Sequence, residues 1–216
     1  MSSRGFFLVL EGVEGAGKTT QARLLSRWMA ERRIAHCIGR EPGGTRVGEA
    51  IRHILLDAPG TEIPAETELL LLLAARAAFV HDVVRPALMR GDVMIADRFE
   101  LSSLAYQGCG RGLDPDAVRA LNAFATGAVR PDLTLVLDLP VAAGLARQNR
   151  AGKARDRIEG EGEVWLERVR EAYRTLSAGD DRVRLIDASG NEADVGRAIR
   201  KTVEDALPES FFRRRG

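Results

Sequence analysis

The sequence predicts an α/β fold: a parallel five-stranded sheet with helices on both faces. Three observations predict it. Short apolar runs alternate along the chain with amphipathic stretches of helical period, and that alternation builds a parallel sheet covered on both sides. The first apolar run passes directly into a glycine-rich turn that opens a helix, the start of a strand–loop–helix unit. The length of 216 residues suits one compact domain over the whole chain and falls short of two ordinary ones.

Taken in order, residues 5–11 read as a buried strand, 12–17 as a tight loop and 18–33 as an amphipathic helix. Residues 35–40 are a second strand, EPGGT a turn and 46–57 a helix. Residues 58–64 form a loop. Residues 65–90 are helical with a break expected before Pro86, because proline lacks the N–H and crowds the preceding turn. Residues 92–97 are the third strand, and 98–113 read as loop-rich, ending in GCGRG. Asp114 is a suitable N-cap with Pro115 at the first helical position. A fourth strand at 133–138 leads into a helix from 141, then a basic, weakly hydrophobic stretch at 147–157. A helix at 163–177, a fifth strand at 182–187 and a helix at 192–206 complete the fold, and the tail FFRRRG reads as frayed. No internal repeat, low-complexity segment or linker interrupts it.

Composition narrows the function. A net charge of +1 supplies no global field for nucleic acid or a membrane surface. The run ELLLLLAARAAFV is too short for a membrane span and contains Arg76. The apolar run behind Arg4 enters the glycine loop with no cleavage-type segment, so it reads as a strand and not a signal peptide. Cys37 and Cys109 fit no disulfide or metal spacing, which favours reduced thiols and a cytoplasmic location. His36, His53 and His81 are scattered and read as structural or surface residues. Arginine greatly outnumbers lysine, which discounts arginine clusters and makes Lys18 more informative.

Residues 11–20, EGVEGAGKTT, carry the chemistry. Gly12, Gly17, Lys18 and Thr19 match G-x-x-x-x-G-K-[ST]. Glycines let backbone N–H groups converge on phosphate oxygens, and the helix N-terminus adds its dipole. Gly12, Val13, Glu14, Gly15, Ala16, Gly17, Lys18, Thr19 and Thr20 are therefore the expected ATP-binding residues. Lys18 would reach the β- and γ-phosphates, and the Thr19 hydroxyl would ligate Mg²⁺. Such a loop defines nucleotide binding, not a reaction. No base-reading Asn-Lys-x-Asp motif is present, and the small size favours a kinase with a small acceptor. Asp97 and Arg98 end the third strand, at the carboxyl edge where ligands of α/β sheets collect. Asp97 suits Mg²⁺, and Arg98 offers a planar fork for an acceptor phosphate. Two carboxylates, Glu11 and Glu14, stand beside this anion cradle and need a separate reason.

The segments EGVEGAGKTTQ, REPGGTRVGEAIRHILL, ELLLLLAARAA, RPALMRGDVMIADRF, SSLAYQGCGRGLD, RPDLTLVLDLP and DRIEGEG occur in this order. Together they resemble bacterial thymidylate kinases from Phe6 to about Tyr173. The resemblance implies a three-layer P-loop fold with a short basic lid at about 147–159. It implies transfer of the γ-phosphoryl group of MgATP to dTMP in dTTP biosynthesis, and a homodimer. It implies that Arg98, with Arg52, holds the acceptor phosphate, that Arg76 and Ser103 meet the thymine, and that Gln107 belongs to the dTMP site. It places Tyr106 against the sugar, Ser102 nearby, and Glu14 toward the acceptor, where it can accept from the 3′-hydroxyl. Glu11 is left to structure, satisfying the loop or nearby arginines. Leu72 departs from the pattern, since the family usually stacks a Phe there on the base; Phe99 departs by replacing a Tyr. Arg147, Arg150, Lys153, Arg155 and Arg157 form the lid stretch, and Ala16 leaves the P-loop without an arginine. Relatives of that kind supply the catalytic arginine from the lid, so Arg147 or Arg150 is expected to join Lys18 and Arg98 in catalysis. No general base is required, because a phosphate monoester has its second pKa near about 6. Two other readings stay open: a kinase for another pyrimidine nucleotide or nucleoside, and a non-catalytic nucleotide sensor. Intact Lys18, Thr19, Asp97 and Arg98 speak against the sensor.

Overall fold

A computed structural model describes residues 4–56, 62–152 and 157–212. Five strands form one parallel sheet in the order β2-β3-β1-β4-β5. They are β1 (Phe6–Glu11), β2 (His36–Arg40), β3 (Val93–Asp97), β4 (Leu133–Asp138) and β5 (Val183–Asp187). Strands β1, β3 and β4 are buried almost throughout, as expected of the centre of a doubly covered sheet. The helices are α1 (Lys18–Glu31), α2 (Arg46–Leu56), α3 (Ala65–Phe79), α4 (Arg85–Arg90), α5 (Glu100–Ser103), α6 (Pro115–Thr126), α7 (Val141–Arg150), α8 (Glu163–Ser177) and α9 (Glu192–Ala206).

Two cores follow from the alternation of side chains along the strands. On one face Leu8, Leu10, Ile95 and Leu135 pack against Leu25, Met29 and Ile199 of α1 and α9. On the other, Phe7, Val9, Met94 and Ala96 pack against Phe79, Val84 and Ala87.

Three expectations need correction. The break before Pro86 does not occur: a π-helical turn at Val80–Val84 joins α3 to α4, and the Arg85 N–H bonds to the Val80 carbonyl. The wider turn absorbs the missing donor and the ring of Pro86 without ending the helix. Residues 98–113 are not loop-rich, since α5 continues into a π-helical stretch, Leu104–Gly110. The tail is not frayed at its described residues, where Phe211 is 3% exposed and meets Phe6 edge-on, ring centroids 6.4 Å apart; residues 213–216 lie outside the described residues. The three histidines lie as expected. His36 bonds to Ser26 and the Ile34 carbonyl, and His53 and His81 are exposed.

Candidate active site

Strand β1 hands the chain to α1 through residues 12–17, and all three glycines there, Gly12, Gly15 and Gly17, have positive φ. Gly12 has φ 131°, and a Cβ there would lie 2.5 Å from the Leu137 carbonyl oxygen. Gly15 has φ 74° and packs directly on the backbone of Gly144 in α7. The loop is thereby clamped between β4 and α7. Lys18 folds back over it, donating to the carbonyls of Gly12 (3.0 Å) and Val13 (2.9 Å). It is 6% exposed. Burial lowers its pKa and Arg98 lowers it further, against Glu14, Asp97 and Glu11.

The Thr19 hydroxyl donates to Asp97 at 2.5 Å. One hydroxyl and one carboxylate, both open to the cavity, are the oxygen donors that Mg²⁺ takes when substrate phosphates and water complete its shell. The residues present therefore fit the ion.

Arg98 follows at once with φ 74°, a conformation rare outside glycine. That turn sends its guanidinium back across the P-loop. It donates to the Gly12 carbonyl (3.1 Å), Ser102 (3.3 Å), Tyr173 (3.3 Å) and Tyr106 (3.2 Å), and forms an ion pair with Glu14. Burial opposes its charge, but Tyr106, Glu14, Tyr173 and Glu11 raise its pKa. Burial also raises the pKa of Tyr106 and Tyr173, so both phenols stay neutral donors.

The two carboxylates thus separate. Glu11 is fully buried and accepts from the Phe99 and Ser102 amides, the Ser102 hydroxyl and the Tyr173 hydroxyl. It caps α5 from a strand distant in sequence, and among the described residues it bonds to no arginine directly. Glu14 stands on the cavity wall and holds Arg98.

A single cavity of about 980 Å³ connects these groups to a second end lined by Leu72, Arg76, Ser103, Tyr106 and Gln107. Arg76 is 2% exposed. It donates to Glu41 (2.7 Å), Ser103 (2.7 Å), Asn122 and the Phe99 carbonyl (3.0 Å). A guanidinium has five N–H donors, so one remains on Nη2 for a ligand. Gln107 donates to the buried Glu68 at 2.8 Å. Arg52 donates to the Pro42 carbonyl (3.0 Å) and faces the same cavity.

The basic stretch divides. Arg147 lines the cavity near the P-loop and donates to the carbonyls of Ala188 (3.0 Å) and Gly190 (3.3 Å). Arg150 lies outside the lining, its Nε bonded to the Ala146 carbonyl of its own helix. Arg157 reaches Glu68 (2.5 Å) and the Leu55 carbonyl (3.0 Å). Lys153 and Arg155 lie outside the described residues. Sequence reasoning missed Glu41, Glu68, Asn122, Tyr173 and Gly144 as site residues. Glu41 sits inside the EPGGT segment, which alone could have flagged it; Asn122 carries no local signal.

The family model described as thymidylate kinase matches residues 10–199. A thymidylate kinase of Desulforudis audaxviator (strain MP104C) is 51% identical over 192 residues, 88% of this chain and 86% of that protein. One from Pseudomonas fluorescens (strain SBW25) is 47% identical over 214 residues, 98% of this chain and 99% of the relative. One from Symbiobacterium thermophilum is 44% identical over 206 residues, 95% of each.

Proposed function

The chain belongs to the thymidylate kinase family, and from that premise we propose how its own residues divide the phosphorylation of dTMP by ATP. The observation that carries the division is the continuous cavity with a P-loop at one end, the Arg76–Gln107 cluster at the other and Arg98 between them. The P-loop residues hold the ATP phosphates, with Lys18 on the transferring group. Thr19 and Asp97 hold Mg²⁺, which supplies charge neutralisation at the phosphate oxygens when bound. Arg98, with Arg52 on the wall of the same cavity, orients the acceptor phosphate, whose second ionisation at about 6 leaves it a nucleophilic anion without a base. Arg147 stands on the donor side and supplies the arginine that Ala16 does not; Arg150 serves only if α7 shifts. Catalysis then consists of positioning and charge neutralisation.

A coupled assay of ADP release across dTMP, dUMP, UMP, CMP and AMP tests this reading. Strongest release with dTMP is expected. Equal release with CMP or AMP would replace it by another kinase, and release with none would favour a sensor.

Glu14 pairs with Arg98, so it serves the acceptor side of a loop whose backbone serves the donor. Glu14→Ala is expected to raise KM for dTMP by about tenfold, the scale of one lost charged hydrogen bond, and to leave KM for ATP within a factor of about two. A larger effect on ATP contradicts the assignment. Leu72 is half-buried on the cavity wall beside Ile51, Leu55 and Ala75. It gives the base an apolar contact without a π-face, and stacking is worth roughly 1–3 kcal/mol per base. Leu72→Phe is therefore expected to lower KM for dTMP about fivefold or more; an unchanged KM would show that the base does not lie on this side chain.

We place the enzyme in the cytoplasm as a homodimer. Two free cysteines support the first. The second rests on exposed Leu70 of α3 and on Leu121 and Phe124 of α6, packed beside it, an apolar surface suited to a partner copy. Sedimentation equilibrium reading a monomer at micromolar concentration would refute the dimer.

A further inference from the structure

Glu68 lies on α3, beneath the acceptor end of the cavity, and its carboxylate is fully buried. Three groups converge on it. Gln107 Nε2 donates at 2.8 Å, Arg157 at 2.5 Å and Arg111 at 3.2 Å. Each arginine has a second partner: Arg157 the Leu55 carbonyl, Arg111 the Glu161 carboxylate. Burial works against ionisation of Glu68, but the bonds from Gln107, Arg157 and Arg111 prevail and its pKa is lowered. A carboxylate in that state accepts hydrogen bonds and donates none.

This has a consequence for Gln107, which is 2% exposed and lines the cavity between Tyr106 and α3. A glutamine amide has a donor end and an acceptor end, and its partners decide which way it faces. We propose that Glu68 is a specificity-determining positioning residue: it accepts from Gln107 Nε2 and so turns Gln107 Oε1 toward the acceptor base. Resting on the reading of this cavity as the dTMP site, the fixed oxygen accepts from the imide N–H of thymine. It meets the lone pair of cytosine at the same ring position, which is repelled. Uracil shares the imide N–H and passes the same filter. Glu68 touches no substrate; it acts through Gln107.

Glu68→Gln tests this at constant volume. An amide opposite Gln107 can donate or accept, so the pair can swap roles together and the orientation is no longer imposed. Two quantities are measured on the full chain: KM for dTMP and the inhibition constant of dCMP as a competitor. The expected result is a fall of about tenfold in the ratio of the dCMP constant to the dTMP KM, the scale of one hydrogen bond replaced by a mismatch, with KM for ATP unchanged. Arg157→Met removes a neighbour of Glu68 without touching Gln107, and its ratio should stay at the wild-type value. An unchanged ratio in Glu68→Gln overturns the proposal, as does an equal fall in Arg157→Met. If Glu68→Gln alone does not fold, the double variant with Arg157→Met leaves one less buried cation without a counter-charge, and the same ratio decides. A wild-type protein that does not phosphorylate dTMP would instead refute the functional reading on which this rests.

Discussion

Lys18→Met is expected to lower kcat by about 10²–10³-fold or more, the effect of deleting one preorganised group that meets charge developing in the transition state. The Lys18 ammonium is held over the loop by the carbonyls of Gly12 and Val13, so it is positioned before ATP arrives and pays little ordering entropy on binding. Methionine keeps the length and apolar stem but carries no charge. The loop is clamped independently, by Leu137 against Gly12 and by Gly144 against Gly15. The melting temperature of the variant is therefore expected to move by only a few degrees, and KM for ATP to change less than kcat. Steady-state assays with a melting curve check both. Turnover within tenfold of wild type would remove Lys18 from the chemistry.

Arg76→Met is expected to produce the largest loss of stability. Breaking a buried ion pair by removing one partner costs about 3–5 kcal/mol, because the other charge is left uncompensated. The full cost applies where Glu41, 4% exposed, is ionised; at lower pH the carboxyl takes a proton, and the loss that remains is that of the donor to Ser103, Asn122 and the Phe99 carbonyl. For a chain of this size the full cost corresponds to roughly 6–20 °C in Tm. The pH dependence is specific. Burial pushes the Glu41 carboxyl up to about 7 from an ordinary value of 4.5, outweighing the opposing pull of Arg76, with Glu11 and Glu100 adding to the rise. The folded state therefore holds a proton that the unfolded chain releases. The stabilisation is complete below about pH 4.5 and is lost as pH rises through about 7. Removing Arg76 raises that carboxyl further, so the loss of stability extends above pH 7; Glu41→Gln removes this part of the slope altogether. Urea melts at intervals between about pH 5 and 8 distinguish the three proteins. A Glu41→Gln variant with the wild-type slope would assign the dependence to other groups.

Much of this was legible in the chain because it is local. The P-loop spacing, the strand that precedes it and the helix that follows are consecutive, so residues 5–33 could be read in one pass. Asp97 and Arg98 were legible for a topological reason, since the carboxyl end of a parallel strand faces the ligand edge whatever its neighbours are. The break at Pro86 and the loop at 98–113 were misread for one cause. A π-helical turn absorbs a proline, and a buried carboxylate from β1 caps α5. Both are supplied by tertiary packing, which overrides local propensity. The resemblance reads Arg76 only as a ligand to the base. The structure has the ion pair with Glu41 and also places the guanidinium on the cavity wall with one donor to spare.

The sequence by itself determined the fold class, the phosphate loop and the types of side chain available to the acceptor, because hydrophobic period and motif spacing are properties of neighbouring residues. Only the tertiary structure decided which groups each of the two carboxylates bonds to. Glu11 and Glu14 are three positions apart, yet one is sealed under α5 and the other holds Arg98 on the cavity wall. The turn after β1 separates their directions, and the burial and hydrogen-bond partners that follow cannot be computed from spacing alone. The same holds for Glu68, whose role comes from Gln107, Arg111 and Arg157, residues that folding brings to one buried carboxylate.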